Sequence, residues 1–185
     1  ELKDDRDGKV YKTVTINNQT WMAENLSFDA GEGSKKGRGK YNPSLNGLYY
    51  TWETATKACP DGWRLPSVKD IEELVNYIVE TYNYDLLGYI GYYLKSSEGW
   101  EVAGNDPFGL SFSPSGQLHK NYEDGSGMFF GEAGYIWTSS DYKASIFKKY
   151  KTYYSLGSKG TAFNKLYEEE PDKLYYSVRC IKNIQ

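Results

Sequence analysis

Only two cysteines occur in this chain of 185 residues, Cys59 and Cys180, and most of the fold has to form between them. Joining them closes a loop of about 120 residues, which on the chain-entropy view stabilises a fold by up to about 5 kcal/mol, less where native strain intervenes. A bridge that persists requires an oxidising compartment, so this reading makes the chain a secreted or surface-displayed one. The alternative is two thiols buried separately in a cytosolic protein, since cysteine is often buried unpaired. No CxxC pair and no Cys/His cluster offers a metal site.

A chain of this length suits one domain, residues 1–185, burying roughly 70% of its unfolded surface. The net charge is only -3, with acids and bases interspersed, which argues against a nucleic-acid footprint or an anionic-membrane patch. No apolar run approaches a membrane span, and no export signal is visible, so the reading places any leader outside these residues. The start, Glu1 to Asp5, reads as an exposed polar lead-in.

The pattern is α+β. Residues 9–16 and 19–22 read as a hairpin turning at Asn17-Asn18. The Gly, Lys and Ser residues of 29–40 read as a loop. Trp52, Ala55 and Ala58 recur at helical spacing before Pro60-Asp61-Gly62, which predicts a short helix. Ser67 as N-cap, Asp70 three residues on and the stripe Ile71, Leu74, Val75, Ile78 predict a longer helix over 68–82. Strands follow at 135–139, 151–155 and 174–181. Nineteen tyrosines bias the chain toward sheet, and the pairs Tyr49-Tyr50, Tyr92-Tyr93, Tyr153-Tyr154 and Tyr175-Tyr176 should put one ring on each face.

Several motifs stand in a telling order: Asp5-Arg6-Asp7-Gly8-Lys9-Val10-Tyr11, then Gln19-Thr20-Trp21-Met22-Ala23-Glu24-Asn25-Leu26, then Leu48-Tyr49-Tyr50-Thr51-Trp52 running into Cys59-Pro60-Asp61-Gly62-Trp63-Arg64-Leu65-Pro66-Ser67, and finally Ser177-Val178-Arg179-Cys180. Over residues 4–182 this resembles the Fibrobacter succinogenes major paralogous domain family. The resemblance implies a C-type-lectin-like fold, similar also to formylglycine-generating enzymes, with an antiparallel sheet, two helices and long loops. It further implies a place on bacterial surface proteins, often lipoproteins, and no assigned biochemical activity. Unlike many relatives, the chain carries no cysteines in the loop before Leu48.

Catalytic chemistry finds little to work with. His119 is the sole histidine, so triad and multi-histidine metal chemistry lack a partner. A formylglycine-type oxidase needs a reactive, copper-binding cysteine pair, whereas Cys59 and Cys180 stand where the family places structural ones. Calcium is a weak option: Asp5-Arg6-Asp7-Gly8 and Asn121-Tyr122-Glu123-Asp124-Gly125 offer oxygen ligands, but neither completes a motif, and lectin calcium motifs are absent. Arg179 calls for carbonyls or a carboxylate such as Glu24.

The expectation is a non-enzymatic binding module, without cofactor, recognising a glycan or a surface protein through a long-loop face over residues 95–135. Its candidate contacts are Trp100, Asn105, Asp106, Tyr122, Glu123 and Asp124. Trp100 also fits a core-facing position. The competing expectation is a structural spacer without a discrete ligand.

Overall fold

The computed structural model describes residues 1–37, 47–82, 88–121 and 127–183. Strands β1 (Leu2–Lys3) and β2 (Val10–Tyr11) pair antiparallel, so the lead-in, exposed at Glu1, Lys3 and Asp5, is nonetheless tied to the fold. The reason is Asp4, which is fully buried: Arg6 donates to its carboxylate through Nε and Nη2 at 2.8 and 2.7 Å, and Nη2 also reaches the Ala58 carbonyl at 2.7 Å.

The expected hairpin is β3 (Thr13–Ile16) and β4 (Gln19–Met22), turning through Asn17 at a φ of 54°, which asparagine tolerates. Next, β5 (Ser34–Lys35) pairs with β6 (Tyr49–Tyr50), so part of the stretch read as a loop is an edge strand. Hydrogen bonds from Gly31 N to Asp29 Oδ1 and from Ala30 N to Ser34 Oγ tighten the turn that returns the chain to that edge. Residues 38–40 lie outside the described residues.

Helix α1 (Trp52–Ala58) is capped by the Thr51 hydroxyl, which accepts from Thr54 N at 3.4 Å. The chain then turns, with Trp63 N donating to Pro60 O at 2.9 Å and Gly62 at φ +80°, a conformation that favours glycine. This turn leads into β7 (Trp63–Arg64). Helix α2 (Val68–Tyr82) has the predicted span. Its capping box closes both ways: Asp70 N donates to Ser67 Oγ at 3.2 Å, and Ser67 N donates to Asp70 Oδ2 at 2.6 Å. A short helix α3 (Ile90–Leu94) follows, so Tyr92-Tyr93 is helical and not a strand pair.

The C-terminal half supplies β8 (Gln117–His119), β9 (Gly127–Met128), β10 (Ala133–Lys143), β11 (Lys149–Gly157), β12 (Phe163–Glu168), β13 (Leu174–Ser177) and β14 (Ile181–Lys182). The larger sheet runs β12-β11-β10-β13-β6-β5, with β8 and β9 joined through β13; the smaller runs β3-β4-β14-β7. Pairing is antiparallel except between β10 and β13. The stretch read as one strand over 174–181 is two, because Val178, Arg179 and Cys180 carry the chain from one sheet to the other.

The apolar stripe of α2, namely Ile71, Leu74 and Ile78, shares a core with Trp21, Ile136, Tyr154, Leu156 and Ile181. A second core holds Ala55 and Ala58 of α1 with Tyr50, Leu65, Trp137, Tyr176, Val178 and Cys180. The alternation read from the tyrosine pairs holds in the strands: Tyr50 and Tyr176 enter this second core while Tyr49 and Tyr175 face Leu118. Cys59 and Cys180 are joined, with their Cα atoms 5.9 Å apart and a sequence separation of 121, which pins the end of α1 to the crossover.

Candidate functional site

Arg179 sits at that crossover, 1% exposed, and the long loop is folded around it. Its Nε donates to Asn25 Oδ1 at 2.6 Å, Nη2 to Ser111 O at 2.7 Å, and Nη1 to the carbonyls of Met22 and Leu110. Among the described residues no carboxylate lies within salt-bridge distance, so the expected pairing with Glu24 does not form. Glu24 instead accepts from Lys12 N at 2.6 Å. Burial lowers the Arg179 guanidinium to about 9, with Asp106 and Glu24 pulling the other way, so it stays charged at neutral pH. A buried cation satisfied by backbone carbonyls fixes the path of the backbone that supplies them.

Asp106 continues this clamp. At a φ of 42° it accepts from Ser111 N at 3.0 Å and from the Ser111 hydroxyl, closing the turn whose far side offers the Leu110 and Ser111 carbonyls to Arg179. Its carboxylate is therefore occupied in holding the loop. Asn105 is exposed, and its backbone N donates to Tyr92 O at 2.8 Å, which sets the loop against α3.

An aromatic surface lies at that junction. Tyr82, at the end of α2, stacks on Tyr93 at 4.5 Å between ring centroids; Phe108 meets Tyr82 edge-on at 6.0 Å, and Tyr92 meets Tyr93 edge-on at 5.5 Å. Tyr82 and Tyr92 keep 40% and 38% of their surface in solvent. Rings held this way carry little conformational entropy to lose on binding.

Trp100, expected on this face, lies in the core at 7% exposure. Its Nε1 donates to Phe112 O at 3.0 Å and to Ser96 Oγ at 3.1 Å, and Lys95 Nζ sits 4.7 Å from the ring. Lys95 is itself buried, its ammonium donating to the carbonyls of Val102, Ser158 and Gly160, and burial lowers its pKa. Much of the segment read as a recognition face is thus packed inward around two buried cations. Tyr122, Glu123 and Asp124 lie outside the described residues.

The Trp-Met-Ala-Glu-Asn-Leu and Ser-Val-Arg-Cys motifs therefore meet through Asn25 and Arg179, and the Cys-Pro-Asp-Gly-Trp turn is bridged to both through Cys180. A profile of the Fibrobacter succinogenes major domain matches residues 14–182. The chain belongs to the Fibrobacter succinogenes major domain family. Comparison with curated proteins and with solved structures gave no match in either case.

This Fibrobacter succinogenes major domain also carries a polar cleft of about 680 Å³ between the loop at Phe28 to Gly33, helix α1 and the start of β13. Asp29, Glu32, Glu53 and Asp172 line it together with Lys57 and Lys120. Its aromatic walls are already covered: Arg6 lies 3.6 Å over Phe28, and Lys35 lies 4.9 Å from the Tyr175 ring. Asp29 accepts from Gly31 N and the Ser34 hydroxyl, which holds its carboxyl below the ordinary range. In the domain's described residues, no three His, Cys, Asp or Glu side chains are placed to hold a metal. Of the two calcium candidates, the first is built from ion pairs, with Asp7 bound to Lys9 at 3.0 Å, and the second falls largely outside the described residues.

Strand alternation at Tyr92-Tyr93, as the sequence suggests, hides their shared surface, and Tyr82 and Phe108 join it only through tertiary packing. The spacing Tyr89, Tyr92, Tyr93 was the available signal, since residues three and four apart share a helix face.

Proposed function

We propose that this chain is a non-enzymatic recognition module, secreted or displayed on the cell surface, that binds glycans through the aromatic face at the junction of α2, α3 and the Asn105 loop. The observation that carries the reading is exposed Tyr82 stacked on half-buried Tyr93, with exposed Tyr92 edge-on to Tyr93 and the exposed Asn105 in the adjoining loop. Tyrosine rings offer an apolar face to the C–H side of a sugar, while hydroxyls and an amide bond its oxygens. The Cys59–Cys180 bridge supports export, and it also ties up the two thiols that a formylglycine-type oxidase would need free. No helix among the described residues is long and apolar enough to cross a membrane.

The framework is read as C-type-lectin-like. Support comes from the two mainly antiparallel sheets, the two main helices and the long loop held between them on a terminal-strand disulfide. A second reading, a protein ligand, is favoured by the cleft, where Glu32 and Asp172 suit a basic side chain while Glu53 is paired with Lys57 and Asp29 is held by Gly31 and Ser34. A glycan array probed with the wild type, Tyr82→Ala, Tyr92→Ala and Asn105→Ala decides between them. Binding that falls in all three variants while the melting temperature holds supports the aromatic face. Binding unchanged in all three, or no glycan bound by any form, rejects it.

A further inference from the structure

The β10–β11 hairpin carries a feature that glycan recognition does not use. Its apex leaves Ile146 and Phe147 88% and 89% exposed, the most exposed large apolar side chains among the described residues. They are not on a loose end. The Ser145 hydroxyl accepts from Phe147 N at 3.2 Å and Lys148 N at 3.1 Å, and Ala144 N donates to Lys148 O at 3.0 Å. A turn fixed by three hydrogen bonds thus holds two apolar side chains out in water, against the usual balance of burial.

The rungs behind the apex are ordered by chemistry. Lys143 faces Lys149 directly across the ladder, a like-charge pair that costs stability. Among the described residues no carboxylate lies within salt-bridge distance of either. The other two lysines are matched, Lys148 to Glu169 at 3.4 Å and Lys151 to Asp141 at 2.7 Å. One rung further back, Tyr142 faces Tyr150, and Tyr142 stacks on Tyr167 at 4.2 Å; Tyr142 and Tyr167 are each 43% exposed.

The balanced charge of the whole chain conceals this local pair of cations at one tip, and we infer that this hairpin is a docking finger for a lipid surface bearing anionic headgroups. Ile146 and Phe147 enter the acyl boundary, Lys143 and Lys149 meet headgroup phosphates, and the tyrosine rung lies at the polar interface, roughly 10 Å behind the apex at the usual rise per strand residue. The like-charge rung selects this occupant over a purely apolar protein pocket, because an anion on both lysines removes a repulsion that an apolar partner would leave in place. Two inserted side chains and two lysines give weak, reversible attachment.

The test is co-sedimentation of the full chain with phosphatidylglycerol–phosphatidylcholine vesicles and with phosphatidylcholine vesicles alone. The wild type pellets with the anionic vesicles and less with the neutral ones. The pairs Ile146→Ser with Phe147→Ser, and Lys143→Glu with Lys149→Glu, each lower partition by about tenfold or more, with melting temperatures at or above that of the wild type. Equal pelleting of the variants and the wild type, or no pelleting of the wild type with anionic vesicles, overturns the inference. The second result together with protein capture by the same tip would assign the finger to a protein instead.

Discussion

Arg179 Nε donates to Asn25 Oδ1 at 2.6 Å, a contact between residues 154 apart in sequence that links the segment after β4 to the crossover between the sheets and, through the remaining guanidinium nitrogens, to the Leu110–Ser111 turn. The aromatic face rests on that turn through Asp106 and Asn105. A buried side chain at the back of the loop therefore sets the position of residues that reach solvent at its front.

Replacing Arg179 with Met removes the guanidinium hydrogen bonds to the Leu110, Ser111 and Met22 carbonyls and to Asn25. We expect a loss of about 3 kcal/mol or more in urea unfolding, because several largely buried acceptors lose a charged donor at once. Arg179→Lys keeps the charge but not the planar fork, and should recover only part of the loss. Two variants within about 0.5 kcal/mol of the wild type would show that the clamp does not organise the loop.

Reduction of the Cys59–Cys180 bridge should destabilise the protein by up to about 5 kcal/mol, the range expected for a loop of this size. Unfolding midpoints with and without dithiothreitol, alongside the Cys59→Ala, Cys180→Ala double variant, measure this. A midpoint unmoved by reductant, with free thiols verified by mass spectrometry, would remove the disulfide as the pin of α1.

Asp70 gives the protein a defined acid limit. Burial resists its ionisation, but hydrogen bonds from Arg64 and from the Ser67 hydroxyl and N–H outweigh this and hold the carboxyl at about 2, against an ordinary 3.8. The folded value lies below the unfolded one, so the stabilisation is complete above about pH 4 and is lost as the pH falls through the folded pKa. The difference is worth roughly 2 kcal/mol. Asp70→Asn should lose about that much at neutral pH and show a flatter profile between pH 4 and 2. An unchanged acid transition in the variant would assign the acid limit to other groups.

Glycan binding should survive chelation. The Asp106 carboxylate already accepts from Ser111, and Asp7, one of the oxygen ligands the sequence offers, is paired with Lys9, so both serve the fold. Isothermal titration before and after EDTA treatment should give the same affinity within twofold or so. A large drop on EDTA, restored by calcium, would require a cation site and revise the proposed mode.

What could be read from the sequence was local. The α2 boundaries followed from Ser67 and Asp70, whose mutual capping needs no distant partner, and the disulfide followed from there being two cysteines to join. The end of the strand at Ser177 was not legible, because Val178 and Cys180 keep the apolar alternation of a strand while their backbone changes sheet. The candidate site was legible only in part. Asn105 lies in the loop that packs against α3 and Asp106 closes the adjoining turn, whereas Trp100 turns inward because its indole N–H finds the Phe112 carbonyl and its ring shields the Lys95 ammonium, partners that sequence spacing does not reveal. Tyr82 reaches Tyr93 only because α2 and α3 pack together, a tertiary contact with no sequence signature.

Aromatic-resolved NMR during titration with the strongest array ligand tests the glycan-face account most directly. Saturable shifts confined to Tyr82, Tyr92, Tyr93, Phe108 and the Asn105 amide are the predicted result. Shifts that instead map to Glu32, Glu53, Lys120 and Tyr175 in the polar cleft, with the aromatic face silent, would contradict it.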